Sequence, residues 1–168
     1  MSPIAKAQAK GLGTGKRAAA SGTHSALPHT ADAGFVAAAS SLHKLFEEAG
    51  ASLAELVASL DAGVEACLWE DVVLDADNLP GLAFAWLNEL IALADIHHGA
   101  IVTTTVEGLD GPLTGEGNGP WRLRGRVGLR TAGEPGVRLL HQPKSATYHR
   151  LIVERKGLCW TMQAYVDL

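Results

Sequence analysis

From residue 101 onward the chain is written almost entirely in runs that alternate apolar and polar residues: 101–106, 121–130, 137–140, 146–155 and 158–166. A period of two sends successive side chains to opposite faces of an extended strand, so each run presents one apolar face that has to be covered. The last run is the cleanest to phase. Trp160, Met162, Ala164 and Val166 share one face, while Thr161, Gln163, Tyr165 and Asp167 share the other. Lys156-Gly157 separates the last two runs as a two-residue hairpin turn, with glycine supplying a positive φ. A sheet built this way needs an apolar layer against it, and the first half of the chain supplies one.

Leu42, Leu45, Phe46, Ala49, Leu53, Leu56, Val57 and Leu60 recur at helical spacing behind the N-cap candidates Ser40 and Ser41. Gly50 lies inside this helix and weakens it by about 1 kcal/mol relative to Ala, which makes a break there an expectation. A second helix carries Leu79, Leu82, Ala83, Trp86, Leu87, Leu90, Ile91 and Ala94, with Pro80 in its first turn and His97-His98-Gly99 at its end. Phe84 and Leu93 widen its apolar face, so it is the more buried of the two. Residues 35–38 and 67–74 read as strands. Strands and helices are interspersed without βαβ repetition, so the predicted class is α+β: two helices packed on a mixed, mostly antiparallel β-sheet.

One domain is expected from 168 residues. Residues 1–24 contain no large apolar residue beyond Met1 except Ile4 and Leu12, and they read as a flexible, disordered basic tail ahead of a domain over 25–168. Gly11-Leu12-Gly13-Thr14-Gly15-Lys16 imitates a phosphate loop. Arg17 stands where Ser or Thr is needed and no strand precedes it, so tail composition explains it better. The net charge of −4 argues against general affinity for nucleic acid, and no stable direct binding of it is expected. Cys67 and Cys159 are too few for a disulfide framework or a zinc site and read as buried thiols. No apolar run reaches the roughly 18 residues of a membrane span, and a cytoplasmic location without membrane contact is expected.

Several residues are candidates for chemistry. Asp32 lies in Pro28-His29-Thr30-Ala31-Asp32-Ala33-Gly34, and Asp167 closes the final strand. Carboxylate oxygens are what hard cations take. An ordinary Asx turn explains Asp32 alone, and a solvated strand end explains Asp167 alone. His29 reads as a ligand, a base or a hydrogen-bonded structural residue. Arg122, Arg124, Arg126 and Arg130 form a basic stripe that suits phosphates, or a charged strand face that discourages pairing. His97 and His98 point in different directions on a helix, and interaction with the helix C-terminus accounts for them better than metal. No GxSxG elbow is present. In Lys144-Ser145-Ala146-Thr147-Tyr148-His149, alternation puts Lys144, Ala146 and Tyr148 on one side and His149 on the other.

Taken together, four motifs resemble the archease family: Pro28-His29-Thr30-Ala31-Asp32-Ala33-Gly34, Trp86-Leu87-Asn88-Glu89-Leu90, Lys144-Ser145-Ala146-Thr147-Tyr148-His149 and the closing Asp167-Leu168. They follow in the family's order across residues 27–168. Ala33 and Ser145 depart from the family's usual residues, and the stretch before Lys144 is short. The resemblance implies an accessory protein, itself not an enzyme, that activates an RtcB-type tRNA-splicing and RNA-repair ligase by promoting its guanylylation and multiple turnover. It also implies a metal site at Asp32, Asp167 and Leu168, with Lys144 important for activation. All-oxygen ligation points to a divalent cation, Ca²⁺ first and Mg²⁺ or Mn²⁺ as alternatives. A metal-dependent phosphate-ester hydrolase or transferase using the same carboxylates is the competing expectation.

Overall fold

The computed structural model describes residues 22–27, 32–112 and 119–168. His29 and the phosphate-loop mimic lie outside the described residues. In chain order the elements are β1 (Gly22–Leu27), β2 (Asp32–Ala39), α1 (Leu42–Val57), β3 (Ala58–Leu60), β4 (Leu68–Ala76), α2 (Leu79–Ile96), β5 (Gly99–Asp110), β6 (Trp121–Thr131), β7 (Val137–Leu139), β8 (Ser145–Lys156) and β9 (Cys159–Asp167). The α+β class with two helices is as expected. The strands divide into three sheets: β1-β2-β9-β8, β4-β6-β5 and the small pair β3-β7. Every pairing among the described strands is antiparallel, in keeping with the mostly antiparallel sheet expected.

Both helices touch both larger sheets and form the layer between them. This explains why α2 is apolar nearly all round: Leu82, Trp86, Leu87 and Leu90 are fully buried. By length and composition α2 would pass for a membrane span, but half of it is buried inside this core. The indole N–H of Trp86 donates to the carbonyl of Phe46 at 3.0 Å, which ties α2 to α1 where no water could satisfy either group. Each helix starts as the sequence predicts. Ser41 Oγ accepts the Lys44 amide at 3.3 Å, and Asn78 Oδ1 accepts the Gly81 amide at 2.8 Å.

Gly50 does not break α1. It lets the helix lie close to β5: a Cβ there would stand 2.5 Å from Thr104 Oγ1. The helix ends earlier than its periodicity suggests, because residues 58–60 become β3 and pair with β7. The boundary of the tail also moves. Residues 22–24, assigned to it from composition, belong to β1, which pairs along β2 and fixes its partner's free edge. His24 fastens β1 to α1 through Glu48 at 3.1 Å and Glu55 at 3.0 Å. Partial burial lowers the imidazole pKa, but the hydrogen bonds and charges of the two glutamates outweigh it, so the net shift is upward. Both cysteines are exposed, not buried: Cys67 precedes β4 in a turn and Cys159 sits at the hairpin end of β9.

Candidate functional site

The β2-β9-β8 register decides what the candidate residues can do together. β9 lies between β2 and β8, and Asp167 has Asp32 directly opposite on one side and Ser145 on the other. Directly opposed residues of neighbouring antiparallel strands have Cβ atoms about 4.5–5.5 Å apart, and like charges so placed are destabilising. The Lys144 amide donates to the Asp167 carbonyl at 2.8 Å, and Lys144 Nζ donates to the Leu168 oxygen at 2.9 Å. One sheet end thus collects Asp32, Asp167, Leu168 and Lys144 from three segments far apart in sequence. Asp167 and Lys144 are exposed, and Leu168 packs partly on the core.

The alternation of β9 explains this local placement. Met162, Ala164 and Val166 are fully buried, so Asp167 falls out of the core. Gly34 pairs with Tyr165, and a Cβ on Gly34 would come within 2.6 Å of the tyrosine Cε1. The Tyr165 ring therefore occupies the space a side chain at residue 34 would need. The glycine two residues after Asp32 is required by this close approach. Among the described residues, no three His, Cys, Asp or Glu side chains cluster as a metal site, and Asp32 enters the arrangement through its backbone register.

β8 departs from simple alternation after Thr147. Its register with β9 slips between Thr147 and Ile152, and Arg150 takes a positive φ of 58°. The His149 amide donates to Thr147 Oγ1 at 2.8 Å, and Tyr148, His149 and Arg150 are all exposed. Tyr148 stacks on Phe84 of α2 with ring centroids 4.0 Å apart. Asn88, one turn further along α2, accepts the Ala146 amide at 3.0 Å and donates to the Phe84 carbonyl at 2.9 Å. Its motif is visible in the sequence, but its partner is a backbone amide on a distant strand.

The arginine stripe lies elsewhere, on the outer face of β4-β6-β5. Arg122 forms a fork to Asp75 at 2.7 and 3.1 Å, Arg126 reaches Asp71 at 2.8 Å, and Arg124 stands 3.8 Å from Asp110. Arg130 pairs with Glu134, and Arg126 lies over the Trp69 ring at 5.1 Å. The hydrogen bond from Arg122 lowers the Asp75 carboxyl below its usual range. This charge is matched across the strands, which favours the structural explanation of the stripe. His97 is paired with Glu70 at 2.8 Å, and His98 turns away with a positive φ of 44°. A half-open cavity of about 340 Å³, lined by Val57, Ile91, Leu139, Leu140 and Pro143, lies beside the chain entering β8.

The profile that matches this sequence is the Archease protein family (MTH1598/TM1083), over residues 24–168. The chain belongs to the archease family. The solution structure of Methanobacterium thermoautotrophicum protein 1598 is similar at 23% identity and a TM-score of 0.68, covering 86% of this chain and 98% of that one. The crystal structure of a Thermotoga maritima protein described as an archease and possible chaperone is similar at 21% identity and a TM-score of 0.54, covering 84% and 94%. At these identities the two structures establish the shared fold. A search of curated proteins gives no match.

Proposed function

We propose that this archease is an accessory protein that activates an RtcB-type RNA ligase, promoting its guanylylation and repeated turnover. The observation that carries the reading is the opposition of Asp32 and Asp167, with Lys144 bonded to both Asp167 and Leu168. Two carboxylates held on neighbouring strands cost stability unless positive charge offsets them, and Lys144 supplies only one charge. The donor set is all oxygen, which suits a hard divalent cation, with Ca²⁺ preferred over Mg²⁺ or Mn²⁺. Asp32, Asp167 and the Leu168 oxygen would hold the ion. When bound, it would supply positive charge to this sheet end. Lys144 holds the Leu168 oxygen and presents an ammonium at this sheet end.

The exposure of Asp167 and Lys144 at a strand end suits presentation to a partner. The Thermotoga protein's description as a possible chaperone agrees with an accessory role. The test uses the full chain in substoichiometric amounts with a GTP-dependent RtcB-type ligase. The expected result is faster ligase guanylylation and multiple turnover, lost in Asp32→Ala and Asp167→Ala. Normal activation by both variants would overturn the metal-site reading. Hydrolysis of a phosphate ester with Mn²⁺ and no partner would favour the enzyme instead.

A further inference from the structure

We propose that Asn88 is a positioning residue through which α2 sets the place of Lys144 and the Asp167–Leu168 end. Among the described strands β8 is an edge of its sheet, with β9 on one side only. Along an antiparallel edge, alternate amides point away from the partner strand and have no ladder acceptor. The Lys144 amide lies just before the β8 ladder begins at Ser145, and it donates to the Asp167 carbonyl from outside that alternation. The Ala146 amide, two residues on, is met by Asn88 Oδ1 at 3.0 Å instead of by a strand. Ala146 itself is buried, so without Asn88 that donor would be left unsatisfied away from water.

Asn88 is in turn fixed from behind. Its Nδ2 donates to the Phe84 carbonyl at 2.9 Å, so both ends of the amide are used and its orientation is set. Phe84 adds a second grip by stacking on Tyr148. The Ala146 contact falls on the short regular stretch of β8, residues 145–147, and the Tyr148 stack lies at the start of the register slip that follows it. The regular stretch follows directly on Lys144, so α2 holds the strand where the slip would otherwise propagate. The role at the metal end rests on the function proposed above; the effect on Lys144 does not.

The experiment compares the full chain with Asn88→Ala and Asn88→Asp by amide hydrogen exchange and Ca²⁺ titration, beside Asp167→Ala. In Asn88→Ala the Lys144 amide should exchange about tenfold faster while amides toward the hairpin, residues 152–156, keep their rates. Ca²⁺ affinity should fall about 10–100-fold, as for outer-shell partners. Asn88→Asp keeps the acceptor for Ala146 and should restore most of the Lys144 protection. An unchanged Lys144 rate in Asn88→Ala overturns the proposal, whatever the metal result. Lost protection with unchanged Ca²⁺ affinity, where Asp167→Ala abolishes binding, also overturns it. Absence of Ca²⁺ binding by the unaltered protein counts against the proposed function, and the exchange rates then decide the role of Asn88.

Discussion

Two sheet surfaces in this protein handle charge in opposite ways. On the outer face of β4-β6-β5, Arg122, Arg124, Arg126 and Arg130 each stand near an acidic residue, and Asp71, Asp75 and Asp110 complete the pattern. At the end of β2-β9-β8, two aspartates oppose each other and a single lysine stands by. Matched pairs lower the cost of a charged strand face and are tuned for folding and solubility. Opposed like charges raise that cost, and a sequence keeps them where something other than stability is served. The richer basic motif is thus the structural one, and the sparse acidic pair is the candidate site.

The largest effect that would sharpen this contrast is on metal binding. Loss of outer-shell partners costs about 10–100-fold in affinity, so removing a carboxylate by Asp167→Asn should cost more than about 100-fold in a Ca²⁺ titration. The same substitution should leave the metal-free fold unchanged or more stable, by about 0.2–1 kcal/mol, because an opposed like charge is gone. A marked loss of metal-free stability would break the comparison. Next in size is Gly34→Ala, which drives a methyl toward Tyr165 and should cost about 1–3 kcal/mol in denaturant unfolding.

Arg126→Ala, on the matched face, should cost no more than about 1 kcal/mol and leave ligase activation intact. Activation lost on neutralising that face would mean it is the working surface. The smallest effect is the pH response of β1. The His24 pKa is raised in the folded state, so its contribution is fully present below the unfolded imidazole pKa of about 6.5. It is lost as pH rises through the higher folded value. Thermal unfolding between pH 6 and 8 should show a small decline that His24→Ala removes.

Much of this arrangement was legible along the chain. The β9 alternation put Asp167 on the polar side, Ser41 and Pro80 marked helix starts, and Gly157 turns the last hairpin with a φ of 63°. β1 was hidden because its six residues carry little apolar signal and are held by β2 and by His24. The reach of α1 was overestimated because Ala58 and Leu60 continue a helical apolar pattern while β7 claims their backbone. Gly50 looked like a weakness because its benefit lies in Thr104 on another element. The opposition of Asp32 and Asp167 is a fact of strand register, which periodicity within each segment does not contain. The motif of Asn88 was visible, but its role was not, since that depends on the amide of Ala146.

The middle position of β9 has a consequence for quality control. The β8-β9 hairpin can form locally, but it gains its other neighbour only by settling along β2, from the opposite end of the described chain. Contacts of such long sequence separation carry a large loop-closure cost and slow folding. The acidic couple is thus a certificate of completed folding: a molecule in which β9 has not settled along β2 has no opposed aspartates.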